Sequence, residues 1–158
     1  MADATAWIEE ATMQSTEAQV RGCIAKLIDR GDWLLVDSQA ISACFSEPED
    51  PVSLLRSLEA MDRNTRGLVH VPGYSYSSRD DPARGDPSWV DIDRALVVAV
   101  NNIPGDDVAI AVDLRSDRAR VVATRWIESP NCRYEWVEIA PSFDDFLEAL
   151  GLGCPSAG

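Results

Sequence analysis

The second half of the chain contains four short strand-like segments separated by turn-forming residues, and these constrain the fold more than any other feature. Residues 95–100 and 108–112 are continuous apolar runs, and residues 119–126 form a third segment. Residues 133–139 alternate polar and apolar side chains, which is typical of a strand with one face in water. Because short turns join antiparallel neighbours, we predict an antiparallel meander of four or more strands. Its first strand is expected to be buried on both faces.

Apolar spacing predicts helices before this sheet. Residues 5–13 form a short helical pattern. Residues 16–30 form a stronger one, with apolar residues every three or four positions and Gly31 as the predicted stop. Residues 33–36 fit either a buried strand or the start of another helix, and residues 37–45 are predicted to be helical.

A further helix is predicted to begin at Asp50 and Pro51. Asp is a favourable N-cap, and proline is tolerated at the first helical position because its missing N–H has no partner there. The apolar residues of its buried face are Val52, Leu55, Leu58 and Met61. Gly67 is predicted to end the helical region, and residues 68–71 alternate like a strand.

The sequence after the last strand predicts a closing helix. Ser142 is a suitable N-cap with Asp145 at the third position, and Gly151 follows the last apolar residue. The residues expected to face the core are Phe143, Phe146, Leu147 and Leu150. N-terminal helices, an antiparallel sheet and a C-terminal helix indicate an α+β fold. We expect one domain over residues 1–152, with residues 153–158 as a frayed tail.

The chain is strongly acidic, with 27 Asp and Glu against 14 Lys and Arg and a formal net charge of −13. Affinity for nucleic acids or anionic membranes depends on basic residues, so we expect neither as a partner. A basic protein would be attracted, although acidity also serves solubility alone. The chain has no apolar run long enough to span a bilayer and no secretory signal, which favours the cytoplasm.

The residue types needed for metal binding or catalysis are sparse. Cys23, Cys44, Cys132 and Cys154 are scattered rather than clustered, and His70 is the only histidine. Structural zinc sites need clustered thiolates and imidazoles, so we expect no metal and no cofactor. No nucleophile can be assigned to His70 from the sequence, and we expect the protein not to be an enzyme.

Three aspartates near the second strand are the strongest alternative to that expectation. Asp106 and Asp107 follow Gly105 in a turn, and Asp113 lies at the far end of the strand. A strand of this length spans about 20 Å, which is too far for one cation. The sequence therefore argues against a divalent metal site.

Residues 74–88 lack periodicity and are rich in Ser, Asp, Arg, Gly and Pro. A loop of this length is either a solvated connector or a functional segment. Tyr74 and Tyr76 are candidate contact residues, because exposed aromatic hydroxyls are favourable in interfaces.

Two of the five tryptophans border segments rich in acids. Trp89 and Trp126 are therefore candidates for a contact surface. The nearby acids are Asp86, Asp91 and Asp93 for the first tryptophan and Glu128 for the second. An aromatic ring surrounded by carboxylates suits the docking of Arg or Lys from a basic partner, although a solvated rim has the same composition.

The strand and helix motifs together resemble one family. Residues 96–113 are similar to the central hairpin of the SUKH superfamily, with Gly105-Asp106-Asp107 in its turn and Asp113 at the end of the next strand. Residues 120–128 resemble the third strand of that family, and residues 137–150 its closing strand and Ser-Phe-x-x-Phe-Leu helix. The resemblance covers about residues 89–152, and the front half departs from the family pattern.

The SUKH superfamily comprises cell-wall-assembly-regulator-like domains, many of them bacterial immunity proteins. The resemblance implies that the chain binds and neutralises a cognate toxin, with an acidic face occluding the basic functional surface of that toxin. Asp106 and Asp107 are included among the expected partner-binding residues. The alternatives are a regulatory interaction module of the same fold without a toxin partner, or a small hydrolase.

Overall fold

A computed structural model describes residues 4–67, 75–76, 90–101, 108–115, 118–128 and 133–154. The helices are α1 (Ala4–Asp29), α2 (Ser38–Cys44), α3 (Leu58–Gly67) and α4 (Phe143–Ala149). The strands are β1 (Ser53–Leu54), β2 (Ser75–Tyr76), β3 (Val90–Asp91), β4 (Ala95–Val100), β5 (Ala109–Asp113), β6 (Val121–Ile127) and β7 (Arg133–Ala140).

The main sheet has five strands in the order β1-β4-β5-β6-β7, and every neighbouring pair is antiparallel. Strands β4 to β7 form the predicted meander, and β1 adds a short fifth strand at the edge beside β4. A separate pair, β2 and β3, is parallel. Together with α4 after the last strand, this arrangement confirms the α+β fold.

Each face of the main sheet carries a cluster of buried side chains. One face contributes Leu96, Ile110 and Val121 to a core that also contains Ile24 of α1 and Phe146 of α4. Side chains alternate between faces along a strand, so their neighbours point the other way. The second cluster comprises Val90, Ala95, Val97, Ala109, Ala111, Val122 and Trp136. Strand β4 is therefore buried on both faces, as its continuous apolar sequence predicts.

Helix α1 corrects one sequence prediction, because the two segments predicted over residues 5–13 and 16–30 belong to one continuous helix that ends at Asp29. Thr16, which the sequence places near a helix start, is buried within it at 7% exposure. The predicted stop is confirmed: Gly31 has φ +82°, a conformation that glycine adopts without steric cost.

The segment after α1 is neither a strand nor an α-helix. Trp33–Leu35 is a single 3-10 turn, and the fully buried Trp33 donates its indole N–H to the carbonyl of Leu55 at 2.8 Å. Helix α2 follows as predicted. Asp37 caps it by accepting a hydrogen bond from the backbone N–H of Ala40 at 2.8 Å.

The predicted helix start at Asp50 and Pro51 is wrong. Ser53 and Leu54 instead pair with β4, and the N–H of Leu55 donates to the carbonyl of Val98 at 2.8 Å. Helix α3 starts later, at Leu58. Its first turn is closed by a hydrogen bond of 3.1 Å from the N–H of Ala60 to the hydroxyl of Ser57. Sheet pairing thus takes precedence over the local capping signal.

Helix α3 is joined to the sheet through Thr65. Its buried hydroxyl donates to the carbonyl of Met61 at 2.8 Å and accepts from the N–H of Val97 at 2.8 Å. Strand β4 has a bulge between Val97 and Ala99. These two residues pair with the consecutive residues Ala111 and Ile110 of β5. A helix side chain therefore satisfies a backbone donor of β4.

The closing helix α4 has the predicted capping. The hydroxyl of Ser142 accepts from the N–H of Asp145 at 3.1 Å. At the other end Gly151 has φ +75°, and the N–H of Leu152 donates to the carbonyl of Leu147 at 2.8 Å. This is the hydrogen bond of a Schellman motif. The predicted strand at 68–71 lies outside the described residues, as does the 74–88 loop apart from β2.

Candidate functional site

A cavity of about 310 Å³ lies between the loop before β1 and one end of the main sheet, where β5 begins and β6 ends. Its described wall consists of Glu47, Pro48, Glu49, Asp50, Val108, Thr124 and Trp126. Every charged side chain in this described wall is acidic. We refer to the cavity with these residues as the acidic groove.

The aromatic wall of the acidic groove comes from β6. Thr124 and Trp126 are two residues apart in this strand, so their side chains lie on the same face of the sheet. Thr124 is buried and accepts a hydrogen bond from the N–H of Ala109 at 3.1 Å, which fixes the strand ends at the base of the groove. Trp126, one of the candidate contact residues, is 47% exposed.

The acidic wall comes from a loop whose position is fixed by packing. Pro48 is buried, whereas Glu49 and Asp50 are exposed and line the groove. Val52 follows in the core at 2% exposure. The two exposed carboxylates are therefore held between two buried anchors rather than carried on a free loop.

Glu47 differs from the other two acids because its carboxylate is partly withdrawn from solvent. Its Oε2 atom is buried and has no hydrogen-bond partner among the described residues. Burial raises the pKa of Glu47, the negative charge of Glu49 raises it further, and Arg125 opposes the shift. A buried carboxylate oxygen without a donor is unfavourable, and a cation brought into the groove would relieve that cost.

Glu128, Asp91 and Asp93 occupy different environments. Glu128 is exposed just after β6 but is absent from the described wall of the groove. Asp91 is buried at 1% exposure, which corrects its assignment to an acidic surface around Trp89. One of its carboxylate oxygens accepts from the N–H of Asp93 at 3.0 Å, so Asp91 caps the turn before β4. Asp93 is exposed.

The environment of Asp91 raises its pKa. Burial is the largest cause, and the charge of Asp93 adds to it. The backbone hydrogen bond from Asp93 and the charges of Arg94 and Arg115 act in the opposite direction. This acid therefore belongs to the folded framework at the start of β4.

Asp113, at the end of β5, is a buried acid whose charge is matched by two arginines. Its Oδ2 accepts from Nη2 of Arg115 at 2.7 Å and from Nε of Arg120 at 2.9 Å. Its Oδ1 accepts from both the backbone N–H and the Nε of Arg115 at 3.0 Å. Burial alone would raise the pKa of Asp113, but the hydrogen bonds and charge of Arg115 and the charge of Arg120 hold it below its ordinary value.

The described residues contain no group of three His, Cys, Asp or Glu side chains arranged to hold a metal ion. Asp106 and Asp107 lie outside the described residues, as does His70. Tyr74 and Trp89 also lie outside them. For Tyr76, the structure describes the backbone pairing of β2 with Asp91 but not the side chain.

Glu47, Glu49 and Asp50 are not among the functional candidates that the sequence indicates. Residues 47–51 are acidic and rich in proline, but they are far in sequence from Trp126. The available signal was the high charge of a short loop before an apolar segment. Only the folded chain brings that loop to the end of β6.

Comparisons with known proteins found no matching family model, no matching curated protein and no matching solved structure. Among the described residues, no helix combines the length and the apolar character needed to cross a membrane.

Proposed function

We propose that this chain is a protein-binding domain whose acidic groove receives a cationic side chain of a basic partner. The observation that carries the proposal is the pairing of a half-exposed tryptophan with three acids around one cavity. The net charge of −13 supports the same class of partner, because it attracts basic proteins over distance.

The groove has two complementary features for an Arg or Lys side chain. The face of Trp126 suits a cation–π contact, worth about 0.5–2 kcal/mol depending on how far the cation is desolvated. Glu47, Glu49 and Asp50 supply carboxylates for charge-assisted hydrogen bonds, which a guanidinium can make in pairs. The unpartnered Oε2 of Glu47 gains a donor in such a complex.

We further propose that the partner is a toxin and that the chain is its cytoplasmic immunity protein. The resemblance of residues 89–152 to the SUKH superfamily supports this assignment, as does the acidic surface chemistry of the groove. In this proposal the protein acts by occlusion: it covers the basic functional surface of the toxin and catalyses no reaction.

The test begins with the product of the neighbouring gene, because immunity genes are expected beside toxin genes. Co-expression measures whether the chain rescues growth, and calorimetry with the purified pair measures affinity. A complex without rescue would favour a regulatory module instead. Failure to bind the neighbouring product even at low salt would refute the immunity proposal.

Groove variants test the binding surface separately. Trp126→Ala and the double variant Glu49→Gln with Asp50→Asn are each expected to weaken binding about tenfold or more, which corresponds to about 1.4 kcal/mol. The matched control is Glu148→Gln, which removes an exposed acid of α4 outside the described groove wall. Circular dichroism and thermal unfolding check that each variant is folded. Equal affinities for the groove and control variants would refute the assignment of the groove.

A further inference from the structure

Two cysteines that are distant in sequence lie side by side in the fold. Cys23 is on α1 at 4% exposure, within the main core. Cys154 is exposed in the segment after α4, and its thiol lies within hydrogen-bonding reach of the Cys23 thiol. Both are reduced in this structure.

The position of Cys154 is fixed by the end of α4. The Schellman hydrogen bond from Leu152 to Leu147 turns the chain back at Gly151, and Leu152 packs against the core. Cys154 follows two residues later. It is therefore brought to α1 by regular helix-end geometry and by apolar packing.

The surroundings of Cys154 are open to small molecules. A cavity of about 640 Å³ lies between the segment after α4 and the residues around the 3-10 turn. Leu35, Val36, Leu150 and Cys154 are among its lining residues. A small reagent can thus approach Cys154 from solvent, whereas Cys23 is covered by the core.

We propose that Cys154 and Cys23 form a modification site for low-molecular-weight disulfides, at which an internal disulfide bond ties the C-terminal segment to α1. The Cys154 thiolate attacks one sulfur of oxidised glutathione, which forms a mixed disulfide and releases one glutathione thiolate. The Cys23 thiolate then attacks the Cys154 sulfur and releases the second glutathione. The two protein thiols are oxidised, and one glutathione disulfide is reduced to two thiols.

The difference in exposure sets the order and the rate of these steps. Burial raises the pKa of the Cys23 thiol to about 12, and the adjacent Cys154 adds to the shift. The burial that raises this pKa remains in the mixed disulfide, whereas the contribution of the Cys154 thiol is lost there. Only the thiolate attacks a disulfide, so closure by Cys23 is the slow step. Below that pKa the thiolate fraction rises tenfold with each pH unit, and the closure rate is expected to rise by the same factor between about pH 7 and pH 9.

Cys44 provides an internal comparison. It is exposed, and its thiol donates to the carbonyl of Ala149 at 3.0 Å. Among the residues that the structure describes, no other cysteine thiol is found beside it. Oxidised glutathione is therefore expected to leave a mixed disulfide on Cys44 rather than an internal bond.

The experiment uses the full chain with Cys44→Ser and Cys132→Ser, so that Cys23 and Cys154 are the remaining thiols. After treatment with oxidised glutathione, intact mass is expected to fall by two hydrogen atoms, and peptide mapping to find the Cys23–Cys154 link. The bond encloses about 130 residues, and the thermal midpoint is expected to rise by about 10 °C. Adding a reductant should reverse both changes.

Two single replacements in that background separate the steps. Cys23→Ser is expected to accumulate one glutathione on Cys154, and Cys154→Ser is expected to leave Cys23 unmodified in the folded protein. A glutathione adduct on Cys154 that persists at about pH 9 with Cys23 present would overturn the proposal. A mapped link other than Cys23–Cys154 would also overturn it.

Discussion

Replacing Glu47 by Gln is expected to make the folded protein more stable while weakening its proposed binding function. The buried Oε2 atom of Glu47 has no described hydrogen-bond partner, and burial raises the pKa of the carboxyl group. At neutral pH the fold therefore holds an ionised group in an environment that disfavours its charge. Glutamine keeps the shape of the side chain and removes that charge.

The expected stabilisation follows from the direction of the pKa shift and from partial exposure. Because the Glu47 side chain retains some contact with water, screening limits the gain to about 0.5–1 kcal/mol at pH 7. For a chain of this size, that corresponds to a rise of about 2–3 °C in the thermal midpoint.

The pH dependence has a definite sign. The folded state binds the Glu47 proton more tightly than the unfolded state, so wild-type stability falls as pH rises from the unfolded pKa, about 4.3, through the raised folded pKa. The variant lacks this loss. The difference in unfolding free energy between variant and wild type should be near zero at about pH 4 and fully present at pH 7.

Urea denaturation of both proteins across this pH range measures that difference. Glu148→Gln, which changes an exposed acid, should shift stability by less than about 0.5 kcal/mol at every pH. The affinity of Glu47→Gln for a basic partner is expected to fall about tenfold. A variant that is less stable than wild type at pH 7, or a stability difference that does not vary with pH, would refute the reasoning about Glu47.

Three further substitutions test the framework by urea denaturation at pH 7. Asp113→Asn removes the carboxylate charge that faces two largely buried arginines and should cost about 2–4 kcal/mol, whereas Glu135→Gln, in an exposed pair, should cost less than about 1 kcal/mol. Since the folded pKa of Asp113 is depressed, wild type should lose this contribution as pH falls below about 4, and Asp113→Asn should not. Thr65→Val should cost about 1–3 kcal/mol because a buried backbone donor loses its acceptor, and Thr65→Ser should retain most of the stability. Ser142→Ala should cost about 1 kcal/mol through loss of the α4 cap.

The parts of the fold that the sequence predicted are those governed by local pattern. Strands β4 and β5 are almost wholly apolar, and the connections between successive strands are short. Short connections favour antiparallel neighbours, because a parallel pair needs a longer crossover. Helix α4 carries both of its end signals, Ser142 and Gly151, in one short segment. In these places propensity, patterning and capping all favour the same structure, which makes them predictable.

The predictions that were wrong concern residues whose structure depends on distant partners. Asp50 and Pro51 carry a valid local signal for a helix start, but the backbone of Leu55 hydrogen-bonds to Val98 and to the indole of Trp33. Those two contacts hold Leu55 beside the sheet, and the helix begins only at Leu58. Asp91 was expected among the acids around Trp89, yet it is buried and caps a turn before β4.

Two carboxylates show why we propose the groove, and not the buried Asp113, as the binding position. Asp113 is the more buried of the two, but Arg115 and Arg120 already satisfy its charge, so an incoming cation would gain little there. For Glu47, by contrast, the cost of burial is not offset: its pKa is raised, and its buried Oε2 atom has no described hydrogen-bond donor. Trp126 supplies an aromatic surface at the same cavity. The free energy available to a partner's cation is therefore largest where the fold has left a carboxylate incompletely paired.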